Sequence, residues 1–554
     1  METKSINGLQ FLELMKGGAA NLQANAKIVN DLNVFPIPDG DTGANMMQTV
    51  LGGIASACAC AADAISAVSS AMADGMVLSA RGNSGVILSQ FFSGIAKGFQ
   101  GIDVADVATI GFAFRSGVRR AYEAVMKPTE GTMLTVMREA ADYACSRIHD
   151  GSTVEDFFAD CLQEMNASLQ RTPEYLEVLR EAGVIDSGGA GLVYIVDGMN
   201  QVLNGENRLQ MLSIGAPTAA VPDTSGFDEN SVMEYGYCTE FLLQLQCCKG
   251  AVEAFSLEAF KQQLSDMGDS IVAFQVGTIV KVHIHTMHPG DVLSFSQHYG
   301  EFLTLKIENM MLQHNESIIR NDFPAPSAAD EKPRSRFATV TIAAGSGVQQ
   351  TLKGLGADVV IDGGQGSNPS TEQLIQAFDQ ANADCIFVLP NNGNILLTAH
   401  QAAELYDKSE VRVIESCDIG EGYAALTMLS YDSGDAEEIA GTMREAMEGV
   451  VTGLVTRAVR DAHLDGVQIH TGDYIGFAGK NMLCADVDKV EAAMRLMDRL
   501  HAENHEVLIA IYGGGVKYDE KLRFREGAAA AYPRMELFEI DGGQDGYDMQ
   551  LILE

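Results

Sequence analysis

Positive charge is scarce in this sequence. Lysine and arginine total 37 against 75 aspartates and glutamates, a formal net charge of −38 over 554 residues. Such a surface repels phosphate backbones and anionic lipid headgroups. No basic stripe offsets it, so nucleic-acid binding and docking on an anionic membrane are both disfavoured. A negative field is compatible with ATP, because Mg²⁺ bridges carboxylates to phosphates; its plain consequence is solubility. No apolar run reaches about 18 residues, so no membrane span is expected. Met1 to Leu9 lack an apolar segment behind a basic flank, so no signal peptide is expected either. The ten cysteines follow no framework spacing. Cys58 and Cys60 lie in an alanine-rich run and Cys247 and Cys248 are adjacent, which reads as reduced thiols in the cytoplasm. A Walker A pattern, a kinase His-Arg-Asp set, internal repeats and low-complexity tracts are also missing.

What remains is ordinary globular material, 46% hydrophobic and 20% charged. At roughly 150 residues per domain, three or four domains are expected. Two stretches rich in Pro, Ala, Ser and charge read as linkers, Gly215 to Asn230 and Asp322 to Arg336. They divide the chain into 1–214, 231–321 and 337–554. The first segment reads as all-α: Leu9, Leu12, Met15 and Ala19 fall on one helical face, and the run Ile54 to Ala73 is alanine-rich. The second, with β-branched runs at Tyr235 to Gln246 and Ser270 to Thr286, reads as a small α+β unit. The third alternates strand and helix from Ala338 to Ile414, which predicts parallel strands with crossover helices. Beyond Ala436 a long helix, a hairpin-like stretch at Gly466 to Leu483, a helix and two strands are expected.

The densest chemistry is Asn33 to Met46, NVFPIPDGDTGANM. Its two prolines forbid a regular helix. Asp39 and Asp41 flank Gly40, and two carboxylates so spaced can converge on one Mg²⁺. An EF-hand is excluded, since Val50 stands where its final Glu would be; a capping turn is the plainer alternative. Ser79 to Gly85, SARGNSG, is a small-residue loop before a helical run, the form of a phosphate cradle, with Arg81 as a charged contact. Helix capping by Asn83 or Ser84 would use the same residues. Lys127 to Thr132 (KPTEGT) and Asp186 to Gly191 (DSGGAG) repeat the pattern. Four such loops in one helical domain exceed what capping explains.

In Val280 to Thr286, VKVHIHT, alternation puts His283 and His285 on one strand face, a pair that can offer imidazoles to Zn²⁺ with Cys238 as third ligand. Glu240 and His288 are weaker additions. The alternative is two half-exposed histidines and a buried free cysteine.

NVFPIPDGDTGANM, SARGNSGVILSQ, KPTEGTMLTV and VIDSGGAGL, in this order over about residues 8–200, resemble the nucleotide-binding domain of the fatty acid kinase ATP-binding subunit, of the DhaL-type dihydroxyacetone kinase family. The resemblance implies a helical barrel whose loops hold ATP and two Mg²⁺ ions. Asp39 and Asp41 would be the metal ligands. The family's third, upstream carboxylate has Asn33 or Asp31 nearest to its place. Gly82, Asn83, Ser84 and Gly85 would cradle phosphates, with Thr42 and Asn45 close by. Gly131, Thr132 and Met133, with Asp186, Ser187 and Gly188, would surround the nucleotide. The family's Cys and His-x-His set strengthens the zinc reading.

The implied reaction is phosphoryl transfer from ATP to a fatty acid presented by a separate fatty-acid-binding, DegV-like partner. A fatty acid carboxylate, with a pKa near the ~4.3 of Glu, is already ionised and needs no general base, and the four loops hold no histidine. The third segment resembles the DegV-like fold of those partners but departs at its loops: AAGSG after the first strand, Ser367 to Thr371 (SNPST) and Pro390 to Asn394 (PNNGN). A related fold that need not hold lipid, serving docking or homodimerisation, is expected. Three other functions stand beside this one: a small-polyol kinase, a non-catalytic lipid-binding or scaffold protein, and a zinc hydrolase centred on Cys238, His283 and His285.

Overall fold

The computed structural model describes residues 3–33, 40–205, 237–246, 255–264, 267–276, 278–309, 334–364 and 366–554. The chain forms two compact units: Met1–Ile214 with Pro333–Glu554, and Gly215–Lys332. Asp39, Cys247, Cys248 and almost all of both expected linkers lie outside the described residues; Ser335 and Arg336 already belong to a strand.

The helical part of the first unit runs β1 (Ser5–Asn7), α1 (Gly8–Leu32), α2 (Thr42–Ala59), α3 (Ile65–Ser79), α4 (Gly82–Gly98), β2 (Val104–Asp106), α5 (Val107–Glu123), α6 (Met133–Arg147), α7 (Val154–Tyr175), α8 (Glu177–Ala182) and α9 (Ser187–Leu203). Asn7 and Gln10 form a capping box that starts α1. The face read from the sequence buries Leu12, Met15 and Ala19, while Leu9, in the first turn, is 48% exposed. Helices α1 and α9 pack closely because both present glycine: a Cβ on Gly17 would sit 2.9 Å from the Gly198 carbonyl oxygen. Phe91, Phe114, Phe157 and Phe158 join the same core with edge-to-face contacts. The paired strands β1 and β2 were invisible to pattern reading, being three residues each.

The C-terminal part carries two sheets. β7 (Ser335–Ala343), α12 (Ser346–Gly354), β8 (Val359–Asp362), α13 (Thr371–Ala381), β9 (Ala383–Leu389), α14 (Leu396–Leu405) and β10 (Glu410–Val413) build a parallel sheet of order β10-β9-β7-β8. This is the crossover arrangement the alternation predicts. The chain leaves β7 for one edge and later returns to its other side, so a crevice opens at the carboxyl ends of β7 and β9.

After α15 (Ile419–Thr427) and α16 (Ala436–Glu448) come β11 (Val451–Arg457), β12 (Ala462–Leu464), β13 (Val467–Ile469), β14 (Tyr474–Ala478), β15 (Asn481–Asp486), α17 (Lys489–Arg499), β16 (Val507–Tyr512), α18 (Tyr518–Ala531), β17 (Glu536–Asp541) and β18 (Met549–Leu553). The second sheet, β15-β14-β11-β18-β16-β17, is antiparallel except for β16 with β17. The stretch Gly466 to Leu483, expected to form one hairpin, contributes to two, β12/β13 and β14/β15. Three strands follow α17, one more than expected, because the last returns between β11 and β16.

The second unit is an antiparallel sheet of order β4-β5-β3-β6, built from β3 (Tyr237–Leu245), β4 (Asp269–Val276), β5 (Ile279–Thr286) and β6 (Gly300–Asn309), with α10 (Leu257–Leu264) and α11 (Pro289–Ser296). Alternate residues Phe241, Leu243, Val280, Val282 and Ile284 bury against Phe260 and Leu264 of α10 and Val292 of α11. This is the expected α+β unit.

Candidate nucleotide and metal site

Four helices of the first unit begin at the four loops singled out above. α2 follows Asp41, α4 follows Arg81, α6 follows Thr132 and α9 follows Asp186. A helix N-terminus carries N–H groups without intrahelical acceptors and the positive end of the peptide dipoles, so it attracts anions. Contacts link the four ends. Ser187 Oγ donates to Thr42 Oγ1 at 3.3 Å, tying α9 to α2. A Cβ on Gly82 would lie 2.7 Å from Asn45 Nδ2, so α4 abuts α2. One on Gly188 would lie 3.1 Å from Met133 Sδ, joining α9 to α6.

The ends are capped differently, and the differences matter. Asp186 caps its own helix, accepting from Gly189 N at 2.6 Å. Burial pushes its carboxyl up to about 6. The Thr132 hydroxyl donates to the Thr129 carbonyl at 2.8 Å and faces Leu134 N at 3.4 Å. Gly131, just before it, has φ +83°. Asp41 heads α2 without capping it. Asn30 of α1 does that work, its Oδ1 accepting from Gly43 N at 2.7 Å and Ala44 N at 3.2 Å. The Asp41 carboxylate is thereby left to the site. It is only 5% exposed. Burial raises its pKa, while the side-chain amides of Asn45 and Asn368 pull it back. Gly82 opens α4 at φ +57°, a left-handed conformation that a side chain resists; Gly85 completes that first turn.

Asn33 closes α1. Its N–H donates to the Asn30 carbonyl at 3.0 Å and its own carbonyl accepts from Gly40 N at 3.2 Å. This gives it a backbone role at the mouth of the loop; Asp31, the other upstream candidate, is exposed.

The C-terminal part of the same unit meets these loops, which sequence reasoning missed. Asn368, in the loop after β8, donates through Nδ2 to Asp41 Oδ2 at 2.7 Å. Arg81, expected to face a phosphate, here donates from Nη1 to the Asn368 carbonyl at 3.0 Å. Thr371 N donates to the Ala80 carbonyl at 3.2 Å. Asn394, in the loop after β9, accepts from Asn83 Nδ2 at 3.2 Å. Gln401 of α14 donates to the Val77 carbonyl at 2.9 Å. A cavity of about 480 Å³ occupies the crevice at the ends of β7 and β9, its wall including Asn83, Ala343, Pro390, Asn391, Ile419 and Gln544. SNPST and PNNGN were noted in the sequence only as departures; nothing in them signals that they touch residues some 300 positions upstream.

In the second unit, strand register sets Cys238 opposite His285 and Glu240 opposite His283, in the rows alternating with the buried Thr239, Phe241, Val282 and Ile284. The side chains of Cys238, His283 and His285 lie outside what the structure describes. Among the described residues no group of three or more His, Cys, Asp or Glu forms a metal cluster. Also among the described residues, no helix is long and apolar enough to cross a membrane.

Comparison with known proteins matches three stretches of the chain. Residues 36–201 match the DAK2 domain, 234–317 the middle domain of the FakA-like family of fatty acid kinase subunits, and 338–554 the C-terminal domain of that family. Protein YloV of Bacillus subtilis (strain 168) is 37% identical over 551 residues, covering 98% of each chain. The chain belongs to the FakA-like family of fatty acid kinase subunits. Other members similar to it include the uncharacterized protein SAUSA300_1119 of Staphylococcus aureus (strain USA300), 35% identical over 98% of each chain. Among solved structures, dihydroxyacetone kinase from C. freundii in complex with AMP-PNP and Mg²⁺ matches 36% of this chain and 35% of its own at 17% identity and a TM-score of 0.28. DegV, a fatty acid binding protein from Bacillus subtilis, matches 40% of this chain and 99% of its own at 12% identity and a TM-score of 0.30. In this FakA-like chain the helical DAK2 domain thus carries the four loops, and the C-terminal family domain carries the loops that meet them.

Proposed function

We propose that this chain is the ATP-binding catalytic subunit of a two-component fatty acid kinase of the cytoplasm. It would transfer the γ-phosphoryl group of ATP to the carboxylate of a fatty acid held by a separate DegV-like fatty-acid-binding protein, giving acyl phosphate and ADP. The observation that carries this is the set of contacts linking four helix N-termini, one of them headed by the buried Asp41 carboxylate, in a chain of this family.

Phosphoryl transfer needs positioning and charge neutralisation more than covalent help. In this reading the free N–H groups opening α4, at Gly82, Asn83 and Ser84, receive phosphate oxygens, the left-handed Gly82 lets the backbone approach closely, and Gly85, whose N–H donates to the Arg81 carbonyl at 3.2 Å, closes the turn beside them. Thr42, Asn45 and Ser187 add short polar side chains beside them. Asp41, with Asp39 before it and Asn33 at the loop's entrance, would hold Mg²⁺. Its hard carboxylate oxygens suit that ion, whose contribution when bound is to neutralise the charge between β- and γ-phosphates. Gly131 to Met133 and Asp186 to Gly188 border the nucleotide. An ionised carboxylate acceptor requires no base, in keeping with loops that hold no histidine. A zinc ion on Cys238, His283 and His285 belongs to this reading as a bound ion only; no step runs through it.

The test is ATP-dependent acyl phosphate formation with a fatty-acid-loaded DegV-like partner, comparing wild type with Asp39→Ala/Asp41→Ala. Activity in wild type that collapses in the variant is expected. Activity that survives the double substitution sinks the metal assignment. An inactive wild type that still binds ATP moves the acceptor to a small polyol such as dihydroxyacetone.

A further inference from the structure

Asn368 is a buried polar side chain at the seam between the two parts of the first unit. It is 2% exposed. Its Nδ2 donates to Asp41 Oδ2 at 2.7 Å across 327 residues of sequence. Its Oδ1 is buried and has no hydrogen-bond partner among the described residues. A buried carbonyl oxygen left without a donor is unfavourable, and such atoms are rare enough to need a cause.

The backbone around Asn368 is pinned. Its carbonyl accepts from Arg81 Nη1 at 3.0 Å. Three residues on, Thr371 N donates to the Ala80 carbonyl, and Ser370 and Gln373 form a capping box that fixes the start of α13. The freedom left to the side chain is chiefly its terminal torsion, which is broad and roughly two-fold. Turning the amide over exchanges Nδ2 and Oδ1. A carboxylate with no cation is best met by the N–H side, the arrangement observed. A divalent cation at that carboxylate is best met by the carbonyl oxygen, a hard neutral ligand of the kind Mg²⁺ and Mn²⁺ accept.

We infer that Asn368 is a cross-domain ligand for the divalent cation held at Asp41, so that the C-terminal part completes the metal site of the helical part. The amide turns over on metal binding and gives its unpartnered oxygen to the ion. This rests on the kinase reading of Asp41 and deepens it, adding to that site a ligand from the C-terminal part. A residue that merely blocked the site would act with the opposite sign: removing it would tighten metal binding.

The full chain, with ADP present, is titrated with Mn²⁺ while free Mn²⁺ is followed by electron paramagnetic resonance, in wild type, Asn368→Leu and Asn368→Asp. Hydrogen exchange at the Thr371 amide reports in parallel whether the seam stays closed. The ligand role predicts binding weakened about tenfold or more in Asn368→Leu, with Asn368→Asp at least as tight as wild type because a carboxylate oxygen replaces the amide oxygen. Unchanged or tighter binding in Asn368→Leu overturns the inference. So does Asn368→Asp binding as weakly as Asn368→Leu, because the loss would then come from packing. Should Asn368→Leu fail to fold, Asn368→Asp decides alone: binding weaker than wild type refutes the ligand role. A wild type that binds no Mn²⁺ at all refutes the kinase reading itself, a result distinct from the others.

Discussion

Gln401 bridges three elements with one amide: Nε2 donates to the Val77 carbonyl at 2.9 Å and to Thr371 Oγ1 at 3.0 Å, and Oε1 accepts from Gln90 Nε2 at 2.8 Å. It is 7% exposed. Gln401→Leu keeps the volume and leaves the Val77 carbonyl and Gln90 amide without these partners, at about 1–3 kcal/mol. Hydrogen exchange at the Thr371 amide is expected to speed up about tenfold or more, one decade per ~1.4 kcal/mol, while amides in the α5–α7 core keep their rates.

Gly82 offers a sharper cut. Gly82→Ala places a Cβ at φ +57°, 2.7 Å from Asn45 Nδ2 and 3.1 Å from Asn368 Nδ2. The left-handed backbone costs a non-glycine residue about 1–2 kcal/mol, and the new methyl stands where a phosphate would approach. Isothermal titration with ADP and Mg²⁺ is expected to show affinity reduced more than tenfold, with a melting temperature only a few degrees lower.

Asp41→Asn separates the seam from the metal. An asparagine still offers Asn368 an oxygen but carries no charge for a cation. Thr371 exchange is expected to stay within a factor of a few of wild type, and Mn²⁺ binding in the presence of ADP to vanish from the measurable range. Seam opening in this variant would show that the Asp41 charge holds the two parts together.

Asp186 predicts a pH dependence. Its folded pKa, about 6, lies above the ordinary value of 3.8. The folded state therefore holds the proton more tightly than the unfolded state. The contribution is fully present below about pH 4, is lost as pH rises toward 6, and becomes a constant penalty above, at most ~3 kcal/mol for a shift of about two units. Asp186→Asn keeps an oxygen for Gly189 N and removes the titration. Melting between pH 4 and 7 should show a smaller decline in the variant than in wild type. An unchanged slope would refute the burial argument.

The helical and α/β classes were legible because their signals are local. Leu12, Met15 and Ala19 reveal a buried stripe, and the strand–helix alternation from Ala338 to Ile414 has no simpler reading than parallel strands. Leu9 misled slightly, since periodicity alone does not say where along a face the neighbouring helix ends. The second sheet was harder: antiparallel strands in non-sequential order, such as β18 between β11 and β16, leave no periodic trace of their neighbours. The loops at Asp41, Gly82, Thr132 and Asp186 were legible as a set because small residues and caps before helices are a local code. Asn30 as the cap of α2, and Asn368, Asn394 and Gln401 as visitors to the site, were not. Each acts through a contact between distant segments, and an asparagine in a loop looks the same whether it faces water or a carboxylate.

The span between Asp41 and Asn368 also has a consequence in time. A chain made from its N-terminus completes the helices bearing Asp41, Gly82 and Asp186 long before the loop after β8 exists, and domains generally fold as they emerge. Throughout that interval the Ala80 and Val77 carbonyls lack Thr371 and Gln401 as donors, and Asp41 lacks its distant amide. On the ribosome, the newborn helical part presents these loop ends uncovered, and it is the late arrival of the parallel sheet that covers them.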